Sequence, residues 1–367
     1  MIKILHVCSD TNIGGAGRYL LNLYNANAAG LDLYFLLPTQ SKLAAVLAAA
    51  GANVIELDIA KDASWAAKDI YKIARLLKRL RPDIVHTHAN FTARVSAKLV
   101  GIGKIVYTRH YVETAASAPN KLKRWLNNFL CDAVIGVTAE TKPVLMKMGI
   151  AENKIAIIES GVLPIEKYAD AAATRAHFGI APNQAVILLL SRLSSEKGID
   201  RFIEIVAKLK ESHKNIIALI AGEGPEEENI RELIRQKNLD EDTIRIIGFV
   251  ENVSDILNAT DIILNTSTTE AKSLSLLEAM SIGIPAVVSN VGGNPSLIAN
   301  AENGFVVEQA DADGFVARIA DLLSDADLYA AMSANAINRF NQNHHAHQMV
   351  AKTKNFYEKK ENNIEEI

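Results

Sequence analysis

Two glutamates eight positions apart, Glu270 and Glu278, lie in the stretch Asn265-Thr-Ser-Thr-Thr-Glu270-Ala-Lys-Ser-Leu-Ser-Leu-Leu-Glu278-Ala-Met280. A carboxylate accepts several hydrogen bonds and can take two adjacent hydroxyls, so the pair could hold two polyols at different depths. An anion would fit between them at the start of a helix. The helix itself is predicted from Ser273 onward, where Leu276, Leu277 and Met280 fall on one face. Glu270 then belongs to the preceding loop and Glu278 lies about two turns in. Lys272, Ser273 and Leu274 mark the loop–helix junction. Ordinary helix chemistry offers a second reading. An acidic residue near a helix N-terminus is favoured by about 0.3–1 kcal/mol through the dipole alone, and the other glutamate would be a surface residue.

A second constellation is Ser191-Arg192-Leu-Ser-Ser-Glu196-Lys197-Gly198, directly after the apolar run Ala185–Leu190. Arginine presents a planar fork to phosphate oxygens, and lysine a compact point charge. A leaving diphosphate, on which negative charge builds, would use both. The alternative is a solvated charged loop with a Glu196–Lys197 pair of little energetic weight. A third is Thr11-Asn-Ile-Gly14-Gly15-Ala-Gly-Arg18 after the run Ile2–Cys8. Glycines there permit a tight turn and a close approach to a ligand, with free helix amides behind them. A plain tight turn fits the same residues. The loop is not G-x-G-x-x-G, and no acidic residue ends the second strand, which disfavours a dinucleotide oxidoreductase. Ala221-Gly222-Glu-Gly224-Pro225 and Gly283-Ile-Pro285 leading to Gly292-Gly293 complete the glycine-bearing junctions.

The elements that must carry these residues alternate between β-rich and helical patterns. Strands are expected at Ile2–Cys8, Leu31–Leu37, Val54–Leu57, Ile84–His86, Lys104–Thr108, Ala133–Val137 and Ile155–Ile158. A second series follows at Ala185–Leu190, Ile216–Ala221, Ile244–Phe249, Ile262–Asn265, Ala286–Ser289 and Gly304–Val307. Helical patterns such as Gly17–Ala29 and Ala66–Leu80 lie between them. This alternation implies an α/β protein with doubly wound parallel sheets. In such sheets ligands bind beyond the carboxyl ends of the strands. The restart near residue 185 places a hinge at Ser160–Pro164 and the Ala/Asp stretch after it. The expected division is 1–165, 166–345, and a C-terminal helix and tail, 346–367, packing back on the first domain, with the strand edges of the two domains facing across a cleft.

Composition narrows the class. The chain has 367 residues, 49% hydrophobic and 22% charged, with a net charge of −3 and a pI near 6.3. That length favours two cores over one. The charge balance gives no support to nucleic-acid binding. Two cysteines, Cys8 and Cys131, far apart and without C-x-x-C, argue against a disulfide framework or thiolate metal site. The first apolar run is too short for a signal peptide, and Gly51, Asn53, Glu56 and Asp58 interrupt the longest apolar-rich stretch. A cytoplasmic protein is expected, with association at the inner face of a membrane left open.

The stretch Glu270–Ile298 resembles the signature of the family-four retaining glycosyltransferases of the GT-B fold, also called glycosyl transferases group 1: Glu-x7-Glu, then Ala-Met, Gly-x-Pro and Gly-Gly. The Gly14-Gly15 loop, Thr108-Arg-His110, Ser191-Arg192 with Glu196-Lys197-Gly198, and Ala221–Pro225 follow in the family's order. The resemblance implies two Rossmann-like domains, an acceptor-side N-terminal one and a donor-binding C-terminal one. By the same resemblance, Glu270 binds the donor sugar and Glu278 the ribose. Arg192 and Lys197 neutralise the diphosphate, and Gly14 and Gly15 approach the donor phosphates. His110 sits near the transferred sugar, Gly222 and Gly224 border the nucleotide, and Lys272, Ser273 and Leu274 belong to the donor loop. The implied reaction is metal-independent, retaining transfer from a nucleotide-diphosphate sugar to a glycan or lipid-linked acceptor in surface polysaccharide or glycolipid synthesis. Where the family often has glycine and an aromatic after the first glutamate, this chain reads Ala271-Lys272-Ser273. A nucleotide-sugar epimerase of the same fold and a non-catalytic sugar-nucleotide-binding protein are the rival readings.

Other signals carry less. His86 and His88 read as polar lining at a strand edge, and His344, His345 and His347 as an exposed helix face. Asp311-Ala-Asp313 and Asp325-Ala-Asp327 match a metal motif of a different fold, yet both precede helical runs, so N-capping is expected and a catalytic metal is not. Asn120–Leu130 carries basic and apolar faces, fitting either a membrane surface or packing on its own domain.

Overall fold

Each of the apolar runs forms a strand, and all strands pair in parallel. The computed structural model describes residues 1–26, 31–111 and 119–359. It divides into two units, Met1–Leu163 with His345–Ile367, and Pro164–His344. In unit 1 the strands are β1 (Ile2–Cys8), β2 (Leu31–Pro38), β3 (Asn53–Leu57), β4 (Ile84–His88), β5 (Lys104–Arg109), β6 (Ala133–Gly136) and β7 (Ile155–Ile157). Their order in the sheet is β3-β2-β1-β4-β5-β6-β7. Unit 2 holds β8 (Ala185–Leu190), β9 (Ile216–Ala221), β10 (Ile244–Gly248), β11 (Ile262–Asn265), β12 (Ala286–Ser289) and β13 (Gly304–Val307), ordered β10-β9-β8-β11-β12-β13. Two doubly wound parallel sheets of this kind are the GT-B architecture.

The helices of unit 1 are α1 (Gly15–Asn25), α2 (Lys42–Ala49), α3 (Ile70–Leu80), α4 (Phe91–Val100), α5 (Lys121–Phe129) and α6 (Thr141–Lys147). Unit 2 has α7 (Ala172–His177), α8 (Ile199–Ser212), α9 (Glu227–Gln236), α10 (Val253–Asn258), α11 (Leu274–Ser281), α12 (Asn294–Leu297), α13 (Ala312–Ser324) and α14 (Ala326–Asn343). Helices cover both faces of each sheet, which is why the strands are apolar along their length. In unit 1, Leu5, Val7, Val85 and Ile105 pack under α3 and α4. The opposite face, with Ile4, Phe35 and Ile84, packs under Tyr19, Leu20 and Leu23 of α1.

That second face is completed by the end of the chain. The last helix, α15 (Ala346–Glu358), buries Met349, Val350, Phe356 and Tyr357 in the same core. Lys104 Nζ donates to the carbonyls of Phe356, Tyr357 and Lys359, each at 2.9 Å. A cation there satisfies the unpaired carbonyls of a helix C-terminus and opposes its dipole. The expected extension of this helix through the charged tail falls mostly on residues 360–367, outside the described residues. So do the last residues of the helix expected over Gly17–Ala29.

The three C-terminal histidines do not form an exposed helix face. His344 is buried and closes α14. His345 caps α15 by accepting from the His347 amide at 3.3 Å, and His347 Nδ1 donates to the Ala26 carbonyl at 3.0 Å. Asp311 and Asp325 accept from the Gly314 and Leu328 amides at 2.9 Å, so both Asp-x-Asp motifs begin with helix caps. Among the described residues no helix is long and apolar enough to cross a membrane.

Candidate active site

In unit 2 the strand order reverses between β8 and β11, the switch point where loops diverge from the carboxyl edge of the sheet. Lys197, in a 3-10 turn after β8, and Glu270, in the loop after β11, meet across it with Nζ and Oε2 2.8 Å apart. Their side chains are only 20% and 11% exposed, and Ser267 Oγ also lies 3.4 Å from the same carboxylate oxygen.

Backbone packing sets this pair. Gly198 has φ +60, and a Cβ on it would stand 2.1 Å from the Thr266 carbonyl. Thr266 Oγ1 donates to the Gly198 carbonyl at 2.9 Å, and the Thr268 amide to the Glu196 carbonyl at 2.9 Å. The lysine loop and the glutamate loop are thus laced together. On the other side, Gly292 has φ +50 and a Cβ there would stand 1.9 Å from the Glu270 carbonyl, which also accepts from the Gly293 amide at 3.0 Å. The Gly292-Gly293 turn therefore clasps the Glu270 backbone. Gly222 and Gly224 do similar work next door: each lets the loop after β9 lie against carbonyls of the Arg192 loop, those of Ser191 and Leu193. Arg192 itself is exposed, and its guanidinium makes no hydrogen bond to the described residues.

Ser273 caps α11, its Oγ accepting from the Leu276 amide at 3.4 Å, and Leu276, Leu277 and Met280 face the core. Leu274 is half-buried at the first helical position. Glu278 is the fifth residue of the helix, one turn in where two were expected, and it is buried at 7% exposure. The surface reading of Glu278 is thereby overturned. Lys272 is equally buried, its Nζ 3.4 Å from His344 Nδ1 at the C-terminal end of α14, where a helix favours positive charge.

In unit 1 the strand order reverses between β1 and β4. Gly14 caps α1 and Gly15 begins it; a Cβ on either would meet nothing within 4 Å. The preceding turn is anchored by Thr11, whose amide and hydroxyl donate to Asp62 at 3.0 and 2.8 Å. His110 follows β5. Its Nε2 lies 2.9 Å from His88 Nδ1, and His88 Nε2 lies 3.0 Å from His6 Nδ1. His86 is bonded at both nitrogens, Nδ1 with the Tyr357 hydroxyl and Nε2 with Thr108 Oγ1 at 2.6 Å.

Residues 170–339 match the family described as "Glycosyl transferases group 1", and residues 13–164 match the "Glycosyltransferase Family 4" domain. The chain belongs to the group 1 glycosyltransferases of the GT-B fold. It is 28% identical over 306 residues to the Escherichia coli UDP-Gal:alpha-D-GlcNAc-diphosphoundecaprenol alpha-1,3-galactosyltransferase, covering 79% of each chain. It is 25% identical over 295 residues to the N-acetyl-alpha-D-glucosaminyl L-malate synthase of Bacillus anthracis, covering 78% of this chain and 77% of that one. Among solved structures, Anabaena HepE in complex with UDP and glucose superposes with a TM-score of 0.85 at 18% identity, covering 97% of this chain and 99% of the other.

In this glycosyltransferase His86 and His88 are not edge lining: both are essentially buried. Burial pushes the imidazoles of His6 and His110 down to about 3 and those of His86 and His88 well below the usual range. Sequence reasoning passed over His6 and Tyr357. A signal existed, because His6 and His86 are direct partners in the β1–β4 register and His88 shares their face. His6, His86 and His88 bring ring nitrogens within 4.8 Å of one another, a grouping that could hold a metal. The rings are stacked or tilted by 25 to 39°, and both nitrogens of His86 are engaged in hydrogen bonds. In-plane lone pairs on near-parallel rings do not converge on one point, so the donor set fits a hydrogen-bonded network better than an ion.

The segment Asn120–Leu130 forms α5, and its polarity is inverted. Asn127 is buried, donating to the Met148 carbonyl at 3.0 Å, and Arg124 reaches inward to the Lys147 carbonyl at 2.6 Å. Leu122, Trp125 and Phe129 face outward, Trp125 being 57% exposed.

Proposed function

We propose that this glycosyltransferase moves a sugar from a nucleotide-diphosphate sugar to a glycan or lipid-linked acceptor, with retention of anomeric configuration and without a catalytic metal. The observation that carries this reading is the Lys197–Glu270 pair at the switch point of unit 2. An ammonium suited to phosphate and a carboxylate suited to hydroxyls are held together by backbone packing. A donor that offers both a diphosphate and a polyol would satisfy each of them in place of the other. Arg192, exposed on the same loop as Lys197 and acting electrostatically on Glu196, adds a second cation to that loop.

In this reading Glu270 binds the donor sugar and Glu278 the ribose. Lys272, Ser273 and Leu274 make the loop–helix junction between them, and Gly222 and Gly224 border the nucleotide. Gly14 and Gly15 offer open backbone and the uncapped amides of α1 to phosphate. His110 serves the transferred sugar. As the C–O bond to the diphosphate breaks, positive charge develops at the anomeric carbon and negative charge on the departing oxygen, which Lys197 and Arg192 stabilise. The acceptor hydroxyl attacks from the face the diphosphate leaves and gives its proton to the leaving phosphate. The UDP bound by HepE supports a nucleotide donor. The decisive experiment is a thermal-shift screen of nucleotide sugars, then product analysis by mass and anomeric NMR with and without EDTA. An inverted product or a strict divalent-metal requirement would overturn the reading. An isomerised sugar from donor alone would replace it with epimerisation.

The acceptor reading extends to the membrane. Leu122, Trp125 and Phe129 present an apolar stripe, Trp125 stacks on Phe129 at 5.0 Å, and Lys98 stands 5.1 Å over the Phe129 ring. Lys121 and Lys123 are exposed beside them. Aromatic rings with flanking lysines suit an anionic bilayer surface, and the Escherichia coli relative is named for a diphosphoundecaprenol acceptor. The protein should co-sediment with phosphatidylglycerol vesicles and not with phosphatidylcholine vesicles, and the double variant Trp125→Ser with Phe129→Ser should stay in the supernatant. Equal recovery of the protein and the variant removes α5 from the membrane.

A further inference from the structure

His6, His88 and His110 form an unbranched chain of imidazoles running from the sheet interior to the carboxyl edge of unit 1. A neutral imidazole has one N–H and one lone pair, and burial keeps all three neutral. The direction of one hydrogen bond in the chain therefore dictates the other. If the bonds run inward, His110 Nε2–H donates to His88, His88 Nε2–H donates to His6, and His6 is left with a proton on Nε2. If they run outward, His6 Nδ1–H donates to His88 Nε2 and His88 Nδ1–H donates to His110 Nε2. His110 then carries its proton on Nδ1.

The inner end decides between these. His6 is 1% exposed, its ring lies against Phe35 at 5.5 Å and 19°, and its Nε2 has no hydrogen-bond partner. An inward chain would bury an orphaned N–H, whereas an outward one buries only a bare lone pair. Orphaned donors are the rarer of the two in protein interiors. His86 offers no alternative acceptor, since Tyr357 and Thr108 occupy both its nitrogens. At the outer end His110 is half-buried, and its Nδ1 has no partner among the described residues.

We propose that His6 and His88 are positioning residues that fix His110 as the Nδ1–H tautomer, so that His110 meets the substrate as a hydrogen-bond donor and not as a base. Its partner would be an oxygen acceptor on the sugar or phosphate. The inference rests on the assignment of His110 to the transferred sugar, and it fits a reaction in which the leaving phosphate takes the acceptor's proton.

The test is long-range proton–nitrogen NMR on the full chain labelled with 15N-histidine near neutral pH, with His110→Asn identifying the signals. His110 and His88 should each show a protonated Nδ1 and a bare Nε2. His88→Gln, whose amide can still donate, should retain the His110 tautomer. His88→Leu should let the Nε2–H form appear and lower kcat by about tenfold or more with KM little changed. A His110 protonated at Nε2 in the unaltered protein, or a tautomer indifferent to His88→Leu, overturns the proposal. If His110→Asn leaves transfer intact while the tautomer is as stated, the role assigned to His110 fails and the hydrogen-bond chain does not.

Discussion

The buried imidazoles make unit 1 sensitive to mild acid. In the unfolded chain a histidine titrates near 6.5, whereas His6, His86, His88 and His110 stay neutral in the folded state well below that, because burial disfavours their charged form. A folded-state pKa depressed below the unfolded one contributes stability that is fully present above about 6.5 and lost as the pH falls toward the folded value. Lowering the pH from 7.5 to 5.5 leaves each folded imidazole neutral while the unfolded one becomes about nine-tenths charged. That costs about 1.4 kcal/mol per residue, or about 5 kcal/mol for the four. A typical domain has about 5–15 kcal/mol in all. Asp10 opposes the loss, since burial and the nearby Asp62 raise its carboxyl. Both tryptophans of the chain, Trp65 and Trp125, lie in unit 1, so urea titrations followed by tryptophan fluorescence read this unit directly. The midpoint should fall steeply between pH 7.5 and 5.5, and His6→Phe should remove about a quarter of the slope. A midpoint that does not move, or nitrogen signals of these histidines that titrate near 6.5, would refute the reasoning.

Other perturbations separate chemistry from scaffold. Lys197→Ala should lower turnover by about a hundredfold or more while unfolding shifts far less, since its partner in the reaction is the leaving diphosphate; near-normal turnover rejects the assignment. Gly14→Ala, where a Cβ meets nothing, should leave stability within about 0.5 kcal/mol and weaken nucleotide-sugar turnover. Gly292→Ala, at φ +50 with a Cβ 1.9 Å from the Glu270 carbonyl, should cost about 1–3 kcal/mol and lower donor affinity in thermal-shift titrations. Asp325→Ala removes only a helix cap, so it should cost about 1 kcal/mol in denaturation and leave activity unchanged with or without EDTA; a loss of activity there would reopen the metal question.

Strand positions were legible from the residues because strands covered on both faces must be apolar throughout, and runs such as Ala185–Leu190 and Ile216–Ala221 keep their expected bounds. The caps at Asp311 and Asp325 were legible too, since each acts on an amide three residues away. Errors came where distant parts meet. The β4 strand runs on to His88, because His88 pairs with Cys8 and Thr108 on neighbouring strands. Glu278 lies one turn into α11 where two were expected, and burial rules out the alternative of a surface glutamate. The histidines near the C-terminus divide between two helices and the two units.

The sequence by itself determined the two parallel sheets, the loops that carry Arg192, Lys197, Glu270 and His110, and the family to which these loops belong. The sheets and loops follow from periodicity and local turn chemistry, which act over a few residues, and the family from the resemblance of the loop motifs to its signature. Tertiary structure alone decided that Lys197 pairs with Glu270 across 73 positions, that His6 meets His88 across 82, and that Tyr357 returns across 271 to bond His86. Alternation tells which face of a strand a side chain occupies. Which strands become neighbours, and in what register, is set by the crossover helices and by the core they must cover together.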